Sequence, residues 1–549
     1  MRAIHQLHRA QRLYLAACVF LMWGIVAAAG PTPPAPQIAR IYLPTEADAA
    51  RLVNRGLDLL EARGPDYLLA LMGAAEADHL RQQGWRVEVE AALDRAAPSP
   101  TLINSFRDGY LTTDEIEARL QYLAASYPTL ATLIDYGDSW EKTQDPTAGR
   151  DLWALRLTRQ DRPAPKPTLF VFAAIHAREL VPSEITLRLA ETLLTSYDHD
   201  ANATWILDHQ EVWIVPLANP DGRAIVEQGY YQRKNTNPSG TACGGWPIYD
   251  WSFGPGIDLN RNSTFRWGAG GSSGSPCDQT YRGPSAGSEP ETQALQTLIA
   301  SLFADRRPDD LVTPAPDDAP GLVISLHSYG GYVLRPWSFT GTPPPNAADL
   351  RRLGDRMGQL TGYFSCQTGM AGCLYAASGT NDDWAYGELG VAAFTFEVGD
   401  AFFQPYVDVA DIWDAVAPAL MYATRTAQAP YRLGRGPDTT TVVVSPIPPS
   451  RTTIYIAANL ARPANGDSIA RAEAFLDAPP WTGAEPIVLS LSGETTASGE
   501  ITVGHLTPGR HLLFVRAVAT NEEAGPPNAA FVEVMWPASQ FLPFVHAAK

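Results

Sequence analysis

Four short, almost wholly apolar runs constrain this chain more than anything else in it: Leu169–Ile175, Glu211–Leu217, Gly321–Leu326 and Val391–Phe396. A strand with one wet face alternates apolar and polar residues, and a strand covered on both faces does not. The runs are therefore read as inner strands of a sheet packed between helices. Helical stretches fall between them, including Glu179 to Tyr197 and Pro290 to Ala304. Ser288 and Glu291 are spaced as a capping box for the second of these. Residues 101–430 are thus expected to form an α/β domain.

A chain of 549 residues is too long for one core, and the rest divides by composition. Within residues 1–29, Arg2, Arg9 and Arg12 precede an apolar run from Leu13 that closes in Ala27-Ala28-Ala29-Gly30. That is the pattern of a cleaved export signal, and no other stretch is long enough to span a bilayer. Residues 30–100 open with a proline-rich stretch and then read strand, helix, strand, helix, strand, the first helix expected over Glu46 to Glu61. A small α+β unit ahead of an α/β domain suggests a propeptide-like region. Residues 431–450, rich in Pro, Gly, Ser and Thr, are read as a linker. Residues 451–549 carry short alternating strands such as Ile454–Ala458 and His511–Ala517, the pattern of an immunoglobulin-like β-sandwich.

Export also sets the reading of the cysteines. With Cys18 inside the signal, Cys243, Cys277, Cys366 and Cys373 remain, an even number that reads as two disulfides. Sequence-local pairing would give Cys243–Cys277 and Cys366–Cys373. The net charge of −18 repels phosphate backbones and argues against a nucleic-acid partner. The expected location is extracellular.

Three of the apolar strands end on residues that handle metals or protons: His176 follows Ile175, His327 follows Leu326, and Glu397 follows Phe396. Open α/β sheets bind ligands beyond the carboxyl ends of their strands. His176 and Glu179 form an H-x-x-E pair, and His327 adds a third ligand type from a distant strand. Two histidines and a carboxylate with a fourth position open is the coordination of a catalytic zinc. The pair alone is a weak signal, since H-x-x-E occurs by chance in many helices. Glu397, at the end of so apolar a strand, is costly without a partner or a task.

Together with their neighbours these residues are specific. His176-Ala-Arg-Glu-Leu180, Asp258-Leu-Asn-Arg-Asn262, His327-Ser-Tyr329 and Phe394-Thr-Phe-Glu397 occur in that order, and over roughly residues 105–425 the chain resembles the zinc metallocarboxypeptidases related to the pancreatic A- and B-type enzymes. The resemblance implies a mixed central sheet flanked by helices, with one Zn2+ held by His176, Glu179 and His327. It makes Asp258 the residue that orients His176 through its second ring nitrogen. It makes Glu397 the general base, Arg233 the oxyanion partner, Asn260 and Arg261 the grip on the substrate's terminal carboxylate, and Tyr375 the mobile residue that closes over substrate. Asp382, in Ser378-Gly-Thr-Asn-Asp-Asp-Trp384, falls where the family places the floor of its specificity pocket. An Asp there implies a preference for C-terminal Lys or Arg, or dual specificity. Ser338 stands near the position where a different, prohormone-trimming subgroup carries an acidic residue. The implied partners are peptide and protein substrates. One alternative is a zinc peptidase acting on peptidoglycan stem peptides. Another is an inactive binding or adhesion protein on the same fold.

Overall fold

The computed structural model describes residues 37–90, 109–239, 254–445 and 453–534, apart from positions 54, 56, 65, 371, 464 and 465. The expected export signal and Cys243 lie outside the described residues.

The N-terminal unit is a four-stranded antiparallel sheet of β1 (Gln37–Tyr42), β2 (Asp58–Gly64), β3 (Tyr67–Met72) and β4 (Val87–Val89), ordered β2-β3-β1-β4. Helices Glu46–Val53 and Ala74–Gln82 complete it, over a core that includes Ile41, Leu52, Leu68, Met72 and Leu80. The helix expected through Glu61 ends at Val53, and from Asp58 onward the chain is β2. Alternation explains the difference. Leu57 and Leu59 enter the unit's own core, while Leu60 joins a separate cluster with Tyr231, Tyr329 and Phe402 of the next domain. A strand sends successive side chains to opposite faces and so fills both clusters; a helix does not.

The second sheet contains β5 (Ala131–Asp138), β6 (Asp151–Leu157), β7 (Thr168–Ala173), β8 (Glu211–Val215), β9 (Leu322–His327), β10 (Tyr332–Arg335), β11 (Phe364–Gln367) and β12 (Ala392–Glu397). Their order is β11-β10-β12-β9-β7-β8-β6-β5. The inner pairs β8-β7, β7-β9 and β9-β12 are parallel, while β5-β6, β6-β8 and β10-β12 are antiparallel, so the sheet is mixed. Every residue of β7, β8, β9 and β12 is buried, as their almost wholly apolar runs require. Each large apolar side chain enclosed there contributes about 1.5–3 kcal/mol. The expected capping box at Ser288 does not form. Helix Pro290–Leu302 begins after Glu289 without a side-chain cap. Glu291 turns inward instead and accepts from the Trp140 N–H at 2.8 Å and Asn235 Nδ2 at 3.2 Å. These tertiary partners replace the local one.

The C-terminal domain is antiparallel throughout. It comprises β13 (Asp438–Val444), β14 (Thr453–Ala461), β15 (Ile469–Leu476), β16 (Ile487–Ser492), β17 (Thr496–Thr502), β18 (Gly509–Ala519) and β19 (Asn528–Val534), ordered β13-β14-β17-β16-β15-β18-β19. The sheet rolls over one core containing Ile454, Ile456, Leu489, Leu513, Val515 and Val532, and Asn528 Nδ2 links its two edges by donating to the Thr439 and Thr440 carbonyls. The expected sandwich is therefore a nearly closed sheet. β13 lies in the stretch read as linker, where the β-branched run Thr439–Val444 favours a strand. Trp205 of the α/β domain packs against Trp481 and Phe514, with ring centres 5.6 and 5.9 Å apart, and Arg425 pairs with Asp438 at 3.0 Å. Among the described residues no helix is long and apolar enough to cross a membrane.

Candidate active site

The site grows from the carboxyl ends of three adjacent strands. β9 and β12 are parallel and in register, so His327 lies opposite Glu397. β7 flanks β9 on its other side. After β7 the chain turns at Ala174, whose φ of +52° lies in the left-handed region that costs a non-glycine residue about 1–2 kcal/mol. The turn carries His176 towards the strand ends, and Glu179 follows just before helix Val181–Ser196.

His176, Glu179 and His327 are all buried, and their donor atoms converge. His176 Nδ1 lies 2.7 Å from Glu179 Oε1, and His327 Nδ1 lies 3.1 Å from Glu179 Oε2 and 3.2 Å from His176 Nδ1. Around a tetrahedral zinc, donors about 2.1 Å from the ion stand about 3.4 Å apart. The other ring nitrogen of His176, Nε2, is 3.2 Å from Asp258 Oδ1. Against the penalty of burial, the Arg233 and Arg261 guanidiniums hold the Asp258 carboxyl well below its usual range, so it only accepts. The ring hydrogen of His176 therefore sits on Nε2, and Nδ1 presents a lone pair to Glu179. Burial, then the charge of Arg233, lowers the His176 pKa and keeps the ring neutral. The Nδ1 lone pair and Glu179 Oε1 are then two acceptors 2.7 Å apart, an arrangement that a shared cation would stabilise. Two nitrogens and a carboxylate pointed at one centre fit a divalent cation, and the donor set fits zinc.

Arg233 donates to Asp258 Oδ2 from both Nε and Nη2, each at 3.1 Å. Beside it, Arg261 donates from Nε to the Gly271 carbonyl at 3.2 Å and from Nη1 to the Asn260 carbonyl at 2.8 Å. Two glycines permit this packing. Gly271, at φ +66°, presses on the Ala376 carbonyl, and Gly379, at φ +71°, presses on the Arg261 carbonyl; a Cβ at either would overlap those atoms. Asp382 is buried and accepts from Ser338 Oγ at 3.1 Å. Its neighbour Asp383 accepts the backbone N–H groups of Ser338 and Phe339 at 2.7 and 3.0 Å. Burial first, and then the charge of Asp382, raises the Asp383 pKa well above the usual value.

His176, Arg233, Asn260, Arg261, His327, Tyr375, Asp382 and Glu397 line one pocket, with Glu179 and Asp258 behind it. Every side chain singled out from the sequence thus belongs to a single constellation. No residue of the C-terminal domain lines this pocket among the described residues. The Cys366–Cys373 disulfide is present, two residues before Tyr375. The sequence did not reveal a second ion pair at the rim. Arg178, between two of the converging residues, donates from Nη1 and Nη2 to the two carboxylate oxygens of Asp58 at 2.5 and 2.6 Å. Its guanidinium also lies 4.1 Å from the centre of the Phe402 ring. The Tyr375 hydroxyl donates to the Leu59 carbonyl at 3.3 Å. The N-terminal unit therefore contacts the pocket's rim through β2.

Comparison with known proteins agrees with this geometry. The family described as zinc carboxypeptidase matches residues 116–417. Carboxypeptidase B of Astacus astacus is 32% identical over 298 residues, which is 53% of this chain and 86% of that protein. Zinc carboxypeptidase A 1 of Drosophila melanogaster is 29% identical over 367 residues, 64% of this chain and 76% of its own. Among solved structures, a carboxypeptidase A from Helicoverpa armigera superposes with a TM-score of 0.57 at 23% identity, covering 72% of this chain and 98% of that one. This last likeness is one of fold.

Proposed function

Because this chain belongs to the zinc carboxypeptidase family and is a peptide hydrolase, we propose that it is a secreted enzyme that removes Lys and Arg from the C-termini of peptides and proteins, and that residues 37–90 hold it inactive. The observation that carries the specificity is Asp382, a carboxylate buried in the pocket that also contains Arg261 and Glu397. A buried carboxylate favours a cationic partner and disfavours an apolar one.

Each side chain then has a defined task. His176, Glu179 and His327 would hold zinc, which would supply a Lewis acid to the site. Glu397 takes the proton of the attacking water and returns it to the departing amine. Arg233 donates to the carbonyl oxygen as it gains charge; its anchoring to Asp258 means it need not reorganise to do so. Asp258 also holds the His176 ring in one orientation. Asn260 and Arg261 grip the terminal carboxylate, for which a planar guanidinium is well shaped. Tyr375 covers the substrate once its hydroxyl leaves Leu59. Inhibition is supported by that bond, by the Asp58–Arg178 pair and by the apolar contact of Ile38, Leu60, Leu69 and Leu71 with Tyr231, Tyr329 and Phe402. Secretion is supported by the basic and then apolar N-terminal sequence and by the Cys366–Cys373 bond.

The test is hydrolysis of two blocked dipeptides, one ending in Arg and one in Phe. The chain would carry an engineered cleavage site between residues 90 and 109, and be assayed before and after cleavage, with and without a zinc chelator. Chelator-sensitive release of Arg in large excess over Phe, after cleavage only, is expected. Equal release of both would refute the role given to Asp382. Equal rates before and after cleavage would refute the inhibition.

A further inference from the structure

We propose that Asn381 is a positioning residue for substrate recognition: it fixes the Asn260 amide so that the NH2 group, and not the oxygen, faces the substrate's terminal carboxylate. The inference rests on reading Asn260 and Arg261 as the carboxylate grip. An asparagine amide is nearly symmetric in shape but opposite in chemistry at its two ends. Pointed the wrong way, Asn260 would set a carbonyl oxygen against the carboxylate it must hold.

The structure decides the orientation. The backbone N–H of Asn381 can only donate, and it lies 3.1 Å from Asn260 Oδ1. Asn381 Nδ2 is a second donor to the same oxygen at 3.2 Å. Ser263 Oγ donates to Asn381 Oδ1 at 3.1 Å, with Asn381 Nδ2 facing the Asn260 oxygen. The residue is buried and opens helix Asn381–Leu389, immediately before the selector Asp382. The Asn260 oxygen is thus satisfied inside the protein, and the nitrogen is left for the pocket. The arrangement parallels that of Arg261, whose Nε and Nη1 are taken by the Gly271 and Asn260 carbonyls. Both members of the grip are therefore oriented by inward bonds before substrate arrives, which removes an ordering cost from binding.

The experiment is a double-mutant cycle on the full chain, cleaved as above, with kcat and KM measured for the Arg- and Phe-ended peptides and with zinc content measured in every variant. Asn381→Asp keeps size and shape but replaces the donor with an oxygen, which repels Asn260 Oδ1 and attracts its NH2 inward. It should raise KM about tenfold for both peptides with kcat nearly unchanged, the worth of one hydrogen bond to a charged group. Asn381→Ser keeps the backbone N–H and a hydroxyl donor and should hold KM within about threefold of the parent. In an Asn260→Ala background Asn381→Asp should add nothing further. If it raises KM there by the same factor, or changes the Arg/Phe preference instead of both KM values, Asn381 does not act through Asn260 and the proposal fails. If Asn260→Ala itself leaves KM unchanged, the carboxylate grip has been misassigned, and the proposal falls with it.

Discussion

Replacing Asp58 with alanine should turn the uncleaved chain from a latent enzyme into an active one. Arg178 and Asp58 are 1% and 2% exposed at the side chain, and their two hydrogen bonds run in parallel between the guanidinium fork and the carboxylate. Removing one partner of a buried pair costs about 3–5 kcal/mol, because the remaining charge is stranded without water. Only the docked state bears that cost, since Arg178 regains water when β2 leaves. At a factor of ten per 1.4 kcal/mol, the docking equilibrium moves by about two to three and a half orders of magnitude. A chain that is about 0.1% open would become more than about 10% open. The apolar contacts of Leu60, Leu69 and Leu71 remain and prevent complete release. The assay is the initial rate on the Arg-ended dipeptide, with mass spectrometry confirming an intact chain. A rise of at least about a hundredfold is expected, and Asp58→Asn should give a smaller rise because its amide can still accept one hydrogen bond. If Asp58→Ala is no faster than the parent while the cleaved parent is fully active, the ion pair does not hold the unit in place.

Three further outcomes follow from the site. Asp382→Ala should lower kcat/KM for the Arg-ended peptide by about a hundredfold or more and leave the Phe-ended peptide unchanged or improved; an equal loss on both would make Asp382 structural. Chelation should abolish activity and lower the melting temperature, with saturating zinc restoring about 4 kcal/mol at a thousandfold excess over its Kd; an unchanged melting temperature would contradict a cation among His176, Glu179 and His327. Burial first, and then the charge of Glu289, raise the Glu291 carboxyl from 4.5 to about 8 against the hydrogen bonds it accepts from Trp140 and Asn235. The folded chain keeps a proton there that the unfolded chain releases. Its stabilising contribution is therefore complete below pH 4.5 and fades as pH rises through 8, at no more than about 1.4 kcal/mol per pH unit. Glu291→Gln should flatten that decline in denaturant unfolding at pH 5 and pH 8, and identical slopes would refute it.

The parts of this protein that were legible from sequence share a physical cause. β7, β8, β9 and β12 are buried on both faces, and that condition writes itself into each strand's own residues. Side chains at the strand ends inherit their placement from the register, so His327 beside Glu397 follows once the strands are aligned. The errors arose where a segment's state is decided by something far away. Residues 57–60 pass as a continuing helix until the Tyr231, Tyr329 and Phe402 cluster gives their other face a partner. Ser288 and Glu291 have the spacing of a cap, but Trp140 and Asn235 supply Glu291 with better partners. Thr439–Val444 passes for linker until β14 pairs with it.

The site divides in the same way, and the division concerns chemistry as well as prediction. The groups that would meet substrate or metal lie in short sequence motifs, with His176, His327 and Glu397 at strand ends. The groups that orient and restrain them come from elsewhere in the chain: Asp258 is 82 residues from the His176 it orients, Asn381 is 121 residues from Asn260, and Asp58 is 120 residues from Arg178. A motif can state which reaction is available. It cannot state whether His176 presents a lone pair, which end of the Asn260 amide faces outward, or whether Arg178 is engaged. Those are differences in protonation, orientation and exposure, each set by one partner whose proximity exists only after folding. Substitutions at Asn381 and Asp58 should for that reason leave those four motifs intact and still change how the carboxylate is held and whether the uncleaved chain is active.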